Sequence, residues 1–204
     1  LQAGNEETQA TLARQLGLTH FAPSQNYRNC DIRADAPKLD ERGGTSVLQI
    51  KCKNDVEVIA LRDHGGISEV LASRHLYAAS HRWRIEFASL IGPSVQQVVI
   101  HNAATSPNAR EGSYFLVLRL ADKELTVLFS ALETSSSAPR DGKTYLQEST
   151  FSTVPASGTR MGEIGEHATV QTGERTYAIR RSFCWSESLL AFVEVAVPNV
   201  QPRK

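Results

Sequence analysis

The sequence predicts an α+β fold in which two antiparallel sheets are each followed by a packing helix. Three observations point there. At residues 81–101, HRWRIEFASLIGPSVQQVVIH, strand-like alternation gives way to an apolar stripe at helical spacing. The same change recurs at 175–197, RTYAIRRSFCWSESLLAFVEVAV. Phe87 and Phe183 hold matching places, each just before the expected helix, so the chain reads as an internal pseudo-repeat of pattern rather than of letters.

Taken in order, residues 1–20 carry Leu12, Leu16 and Leu18 in a weak helical stripe that Gly17 would interrupt near its end, the mark of a peripheral helix or arm. Residues 22–45 hold two prolines, many charges and Gly43-Gly44, and are expected to be irregular apart from a short strand near Cys30–Ala34. The domain boundary is therefore placed at 40: an N-terminal arm with a possible short helix over 1–40 and a single domain over 41–204. In SVLQIKCKND, Ser46, Leu48, Ile50 and Cys52 point one way, and Val47, Gln49, Lys51 and Lys53 the other. VEVIALRD is a second strand ending at Gly65-Gly66, whereas ISEVLASRHLYAA fits neither the strand nor the helix period. In HRWRIEF, His81, Trp83, Ile85 and Phe87 share one face, with Arg82, Arg84 and Glu86 on the opposite one. Pro93 suits a first helical turn, and Ile91, Val95, Val98 and Val99 supply the stripe behind it.

NAATSPNAREG is a turn-rich connector. In SYFLVLRLADKELTVLFSAL, Asp122-Lys123 divides a hairpin whose first strand turns Leu116, Leu118 and Leu120 inward. ETSSSAPRDG reads as a mobile loop, TYLQESTFSTV as a strand, and the glycine-rich stretch ASGTRMGEIGEHATVQTGE as a long excursion between strands. TYAIRRSFCW is the last strand. Ser186 is placed to cap a helix striped by Leu189, Phe192, Val193, Ala196 and Val197 and stopped by Pro198.

The 204 residues suffice for one substantial core, and a hydrophobic fraction of 41% with 22% charged residues is ordinary for a globular chain. No apolar run approaches the ~18–20 residues that cross a bilayer as a helix, so no membrane partner is expected. Lys+Arg and Asp+Glu each number 22, giving a formal net charge of zero and no global field to attract a polyanion. Cys30, Cys52 and Cys184 are odd in number and lack C-x-x-C spacing, so an unpaired set in a reducing compartment is expected. The chain begins at Leu1, as either a processed or a trimmed terminus would.

Lys51, Lys53, Arg82 and Arg84 alternate with inward-facing apolar residues, and Arg119 and Arg180 have the same parity on later strands. Cations of that kind on several strands are candidate contacts to a phosphate backbone, giving sequence-tolerant and salt-sensitive binding. Trp83 and Trp185 read as core or interface anchors. Asp63-His64-Gly65-Gly66 has no accompanying G-x-S-x-G elbow, and His75, His81, His101 and the cysteines lack the spacing of a zinc class. Glu163 and Glu166 flank Gly165 in what reads as an exposed loop. No catalytic residue, metal site or cofactor is expected.

WRIEFASLIGPSV, with Trp83, Phe87, Ala88, Leu90 and Pro93, resembles the strand-to-helix segment of the "whirly" family of single-stranded nucleic-acid-binding proteins. DERGGTSVLQI, GSYFLVLRLADKEL and SESLLAFVEVAVPNV resemble other short motifs of that family, so the likeness extends over roughly residues 40–200. Lacking the plant lysine-glycine-lysine-alanine signature and carrying no net charge, the chain is most similar within it to the kinetoplastid mitochondrial RNA-binding (guide-RNA-binding) pair. The resemblance implies a whirly-like α+β fold, with two antiparallel four-stranded sheets packed crosswise and each followed by a helix. It further implies a heterotetramer with a more basic sister subunit in the mitochondrial matrix. There the chain would hold guide RNA or pre-mRNA by its backbone and leave the bases free to anneal during RNA editing. A homo-oligomeric single-stranded DNA-binding regulator and a ribosome-associated assembly protein are the alternative readings.

Overall fold

A computed structural model describes residues 30–65, 67–80, 82–104, 112–137 and 145–195. The expected arm helix over 1–20 and His81 lie outside these residues. What is described is all β, in twelve antiparallel strands: β1 (Cys30–Asp35), β2 (Thr45–Cys52), β3 (Asp55–His64), β4 (Ile67–Ala78), β5 (Arg84–Ala88), β6 (Gln97–Ala104), β7 (Ser113–Ala121), β8 (Glu124–Ser137), β9 (Tyr145–Val154), β10 (Glu163–Thr172), β11 (Arg175–Ser186) and β12 (Ala191–Val195). They form one meander in sequence order, except that β5 leaves the path and pairs β6 from the side. β4 and β5 divide one edge of β6, with Tyr77 and Ala78 opposite Ala104 and Ala103, and Arg84–Ala88 opposite His101–Gln97.

This corrects the α+β, whirly-like expectation of two four-stranded sheets each followed by a helix: no helix occurs among the described residues. The first expected helix is a strand for a physical reason. β6 and β7 are buried on both faces, and such strands fill successive positions with apolar residues rather than alternate ones. Val98 and Ile100 join a cluster with Val47, Val58, Ala60 and Leu76 of β2–β4, while Val99 joins a second cluster with Phe151 of β9 and Ile164 of β10. A run apolar at every position imitates a helical stripe once a proline precedes it. Ser89–Gln96 is instead a connector, in which Gln97 Oε1 accepts from the backbone N–H of Leu90 (2.6 Å) and Ile91 (3.2 Å).

After Ser186 the chain makes a turn rather than a helix, with Leu189 and Leu190 67% and 71% exposed and Leu190 at φ 50°. Phe192 of β12 then returns to the second cluster; Ala196 and Val197 lie outside the described residues. The supposed excursion over 155–175 contains β10, where Ile164, Glu166, Ala168 and Val170 are buried on alternate positions. Its glycines and charges, among them a buried glutamate in the core register, are what hid this strand.

β4 fits neither period because its pairing with β3 shifts between Ala60 and Leu61: Ala60 faces Ala72 and Leu61 faces Val70, leaving Leu71 as an extra residue. Other expectations hold. β1, β3, β9 and β11 lie where strands were expected. The β7–β8 hairpin turns at Asp122 and Lys123, whose φ values of 48° and 66° suit a two-residue connection, and Leu116 and Leu118 are buried. β1 pairs β2 and Leu39 is buried in the first cluster, so residues 30–39 pack with the strands that follow.

Cys30 and Cys52 face each other across β1 and β2 with Cα atoms 4.3 Å apart, and form a disulfide. The expectation of three unpaired cysteines is thereby corrected: linear spacing says nothing about two residues that a hairpin sets side by side. Closing a loop with a sequence separation of 22 should contribute about 3 kcal/mol. A Cys30→Ser, Cys52→Ser double variant is expected to unfold at correspondingly lower urea, and added reductant should lower the wild-type midpoint but leave the variant's unchanged.

Candidate ligand-binding cleft

Two β-bulges build the most chemically equipped site. On β6, Ile100 faces Leu116 and Ala103 faces Tyr114, so His101 and Asn102 together oppose Phe115 of β7. On β8, Leu132 faces Tyr114 and Thr134 faces Ser113, leaving Glu133 as the extra residue. Bulges release ladder groups and re-aim side chains, and here they aim three polar residues at one point. Asn102 adopts φ 55°, a left-handed conformation that asparagine tolerates, and its N–H donates to Glu133 Oε2.

His101 is 2% and Glu133 4% exposed. Glu133 Oε1 lies 2.9 Å from His101 Nδ1, and because a carboxylate only accepts, that nitrogen carries the proton. From β5, Arg84 Nη2 stands 3.1 Å and Glu86 Oε1 3.3 Å from Nε2. The Phe115 ring closes the apolar side, steeply inclined to the imidazole with centroids 4.9 Å apart. Above this group opens a cleft of about 260 Å³, lined among others by Arg82, Arg84, Asn102, Glu148 and Phe151.

Arg84 also lines a second cleft, of about 300 Å³, with Asp31, Arg33, Asp35, Lys51 and Trp83. There Lys51 Nζ sits 5.5 Å from the centre of the Trp83 ring, Arg33 pairs with Asp31 at 2.9 Å, and Gln49 Nε2 donates to Asp35 Oδ2 at 3.1 Å. A third cleft, about 450 Å³, is lined by His167, Arg180, Arg181, Glu163 and Glu166 among others. Glu166 is buried rather than in an exposed loop: it accepts from Ser149 Oγ at 2.8 Å and lies 3.7 Å from Arg181. Burial, reinforced by nearby Glu163 and opposed by Arg160, pushes the Cys184 thiol up.

Of the six cations singled out from sequence, Lys51, Arg82 and Arg84 meet around the two clefts that flank β5. Arg180 stands in the third cleft, while Lys53, at φ 60° in the β2–β3 turn, and the exposed Arg119 of β7 line none of the three. Trp83 packs against the first cluster and Trp185 against Phe192 at 5.4 Å, both as anchors. His101, Asn102, Glu133 and the role of Glu86 escaped the sequence. The one available signal was a histidine–asparagine pair inside the apolar run VVIHNAA. Among the described residues, no group of three His, Cys, Asp or Glu is placed to hold a metal ion. No known family, curated protein or solved structure matches this chain.

Proposed function

We propose that the protein is a non-enzymatic binding module for a small polar ligand, held in the clefts on either side of Arg84. The observation that carries this reading is the pair of facing bulges. They commit a buried histidine, an asparagine and a glutamate, each with a fixed partner, to the floor of a cleft, where a preorganised polar set can meet a ligand. At about 260 and 300 Å³ each cleft stands near the lower bound for small-molecule sites, about 300 Å³. Both linings mix cations with carboxylates, which suits a compact ligand with its own pattern of charge better than a uniform polyanion. Both nitrogens of His101 have close partners, which argues against a free general base.

Small polar ligands should bind the wild type and lose about 10–100-fold in affinity on Arg84→Ala, the value of a charge-assisted hydrogen bond of about 1.5–3 kcal/mol. Arg119→Ala should change affinity less than twofold in the same thermal-shift or calorimetric series. An equal loss in both variants would remove the cleft from the function.

Single-stranded RNA remains a second reading, supported by one arrangement: Lys51 over the Trp83 indole beside Arg84, a cation-and-aromatic track of the kind that holds single strands. Salt separates the two. RNA held by four phosphates would show a slope of log affinity against log salt near −2.8, about −0.7 per contact, and a small monoanion a much shallower one.

A further inference from the structure

We propose that the ligand of the Arg84 cleft is a small acid, bearing a carboxylate or a phosphate, and that it binds with uptake of one proton at His101. This rests on the cleft being the ligand site.

The geometry at Nε2 holds a conflict. Arg84 Nη2 at 3.1 Å offers a proton, and Glu86 Oε1 at 3.3 Å offers only lone pairs. One nitrogen satisfies one of them at a time. With Nδ1–H donated to Glu133, a neutral imidazole presents its Nε2 lone pair to Arg84 and opposes the Glu86 carboxylate. A protonated imidazole donates to Glu86 and repels Arg84. The site is therefore bistable, and Arg84 is the element that selects the state.

An entering acid competes for that selector. The Arg84 side chain is 55% exposed, lines both clefts and is held by Glu86 only at 3.9 Å, so its guanidinium is available to a carboxylate or phosphate, with Arg82 lining the same cleft. Once Arg84 turns to the ligand, Nε2 loses its donor and is left beside Glu86. A proton taken from solvent onto Nε2 restores the hydrogen bond. Charge follows the same logic. The groups facing His101 are Arg84 and Glu86 from β5 and Glu133 from β8, with Phe115 of β7 contributing only an uncharged ring. Arg82 and Glu148 of β9 line the cleft above. Three carboxylates already outnumber two guanidinium groups, so an added anion is offset by an added proton. The ligand-bound state holds the extra proton, and affinity should therefore rise with acidification.

The experiment is isothermal titration of the full chain with succinate and with inorganic phosphate, in buffers of differing ionisation enthalpy, with uncharged succinamide as the comparison. The expected result is uptake approaching one proton per ligand, with affinity rising up to tenfold per unit of acidification. Glu86→Gln, at a half-exposed position, should cut the uptake by more than half. Nitrogen-15 spectra of the His101 ring should change from the Nδ1–H tautomer to the doubly protonated form on saturation. Binding without uptake, equal binding of succinamide, or unchanged uptake in Glu86→Gln overturns the proposal while leaving the cleft in place. If no acid binds while an uncharged or cationic probe shifts the Arg84 resonances, the proposal again falls alone. If no probe of any charge reaches Arg84, the cleft reading falls with it.

Discussion

Replacing Phe115 with alanine should lower the free energy of unfolding by about 3–5 kcal/mol, enough to leave the fold marginal. Phe115 is 0% exposed and sits where the second cluster meets the polar floor of the cleft. Its ring stacks on Phe151 of β9 with centroids 4.6 Å apart, meets the edge of Phe129 at 6.0 Å, and closes over His101 at 4.9 Å. Those contacts tie β6, β7, β8 and β9 together. β7 is also packed on its other face through Leu116 and Leu118, so the backbone cannot collapse into the vacated space. The cavity term should then come in nearly full. Urea unfolding measures it. A loss below about 1.5 kcal/mol would mean that the two clusters do not share β7 as their common wall.

Glu133→Ala is the second large effect, also about 3–5 kcal/mol, for a different reason. The carboxylate answers two donors, the buried His101 Nδ1–H and the half-buried Asn102 N–H that the β6 bulge withdraws from the ladder. Removing it leaves both without their partner, the His101 donor at a 2% exposed position. Glu86→Ala touches the same histidine from a 39% exposed position and should cost no more than about 1 kcal/mol. Comparable losses in the two variants would show that Glu133 is not the structural partner of the bulge.

The sequence made legible those parts of the fold that obey a local rule. The β7–β8 hairpin could be read because Asp122-Lys123 supplies a two-residue turn between alternating strands. β6 could not, since burial on both faces erased its alternation, and β12 failed because Leu189, in an exposed turn, continues the apolar stripe of Phe192 and Val193. β10 was lost to its glycines and charges, among them Glu166, a carboxylate whose place in the core depends on Ser149 and Arg181 of the neighbouring strands. The site divides in the same way. Arg82 and Arg84 announce themselves by alternation with Trp83 and Ile85. His101 and Glu133 are 32 residues apart and meet only because two strands bulge on either side of β7. Nothing in a linear spacing encodes that meeting.

The most direct test maps where ligands touch the protein. Backbone amide and arginine side-chain NMR resonances can be followed while small acids, uncharged polar molecules and a short single-stranded RNA are each titrated at fixed salt. If the bulge-lined cleft is the binding site, the largest shifts fall on Arg82, Arg84, His101, Asn102 and Phe151, and a small molecule is sufficient to produce them. Shifts that need RNA, spread over Lys53, Arg119 and Arg180 and leave the His101 ring unmoved, would contradict it.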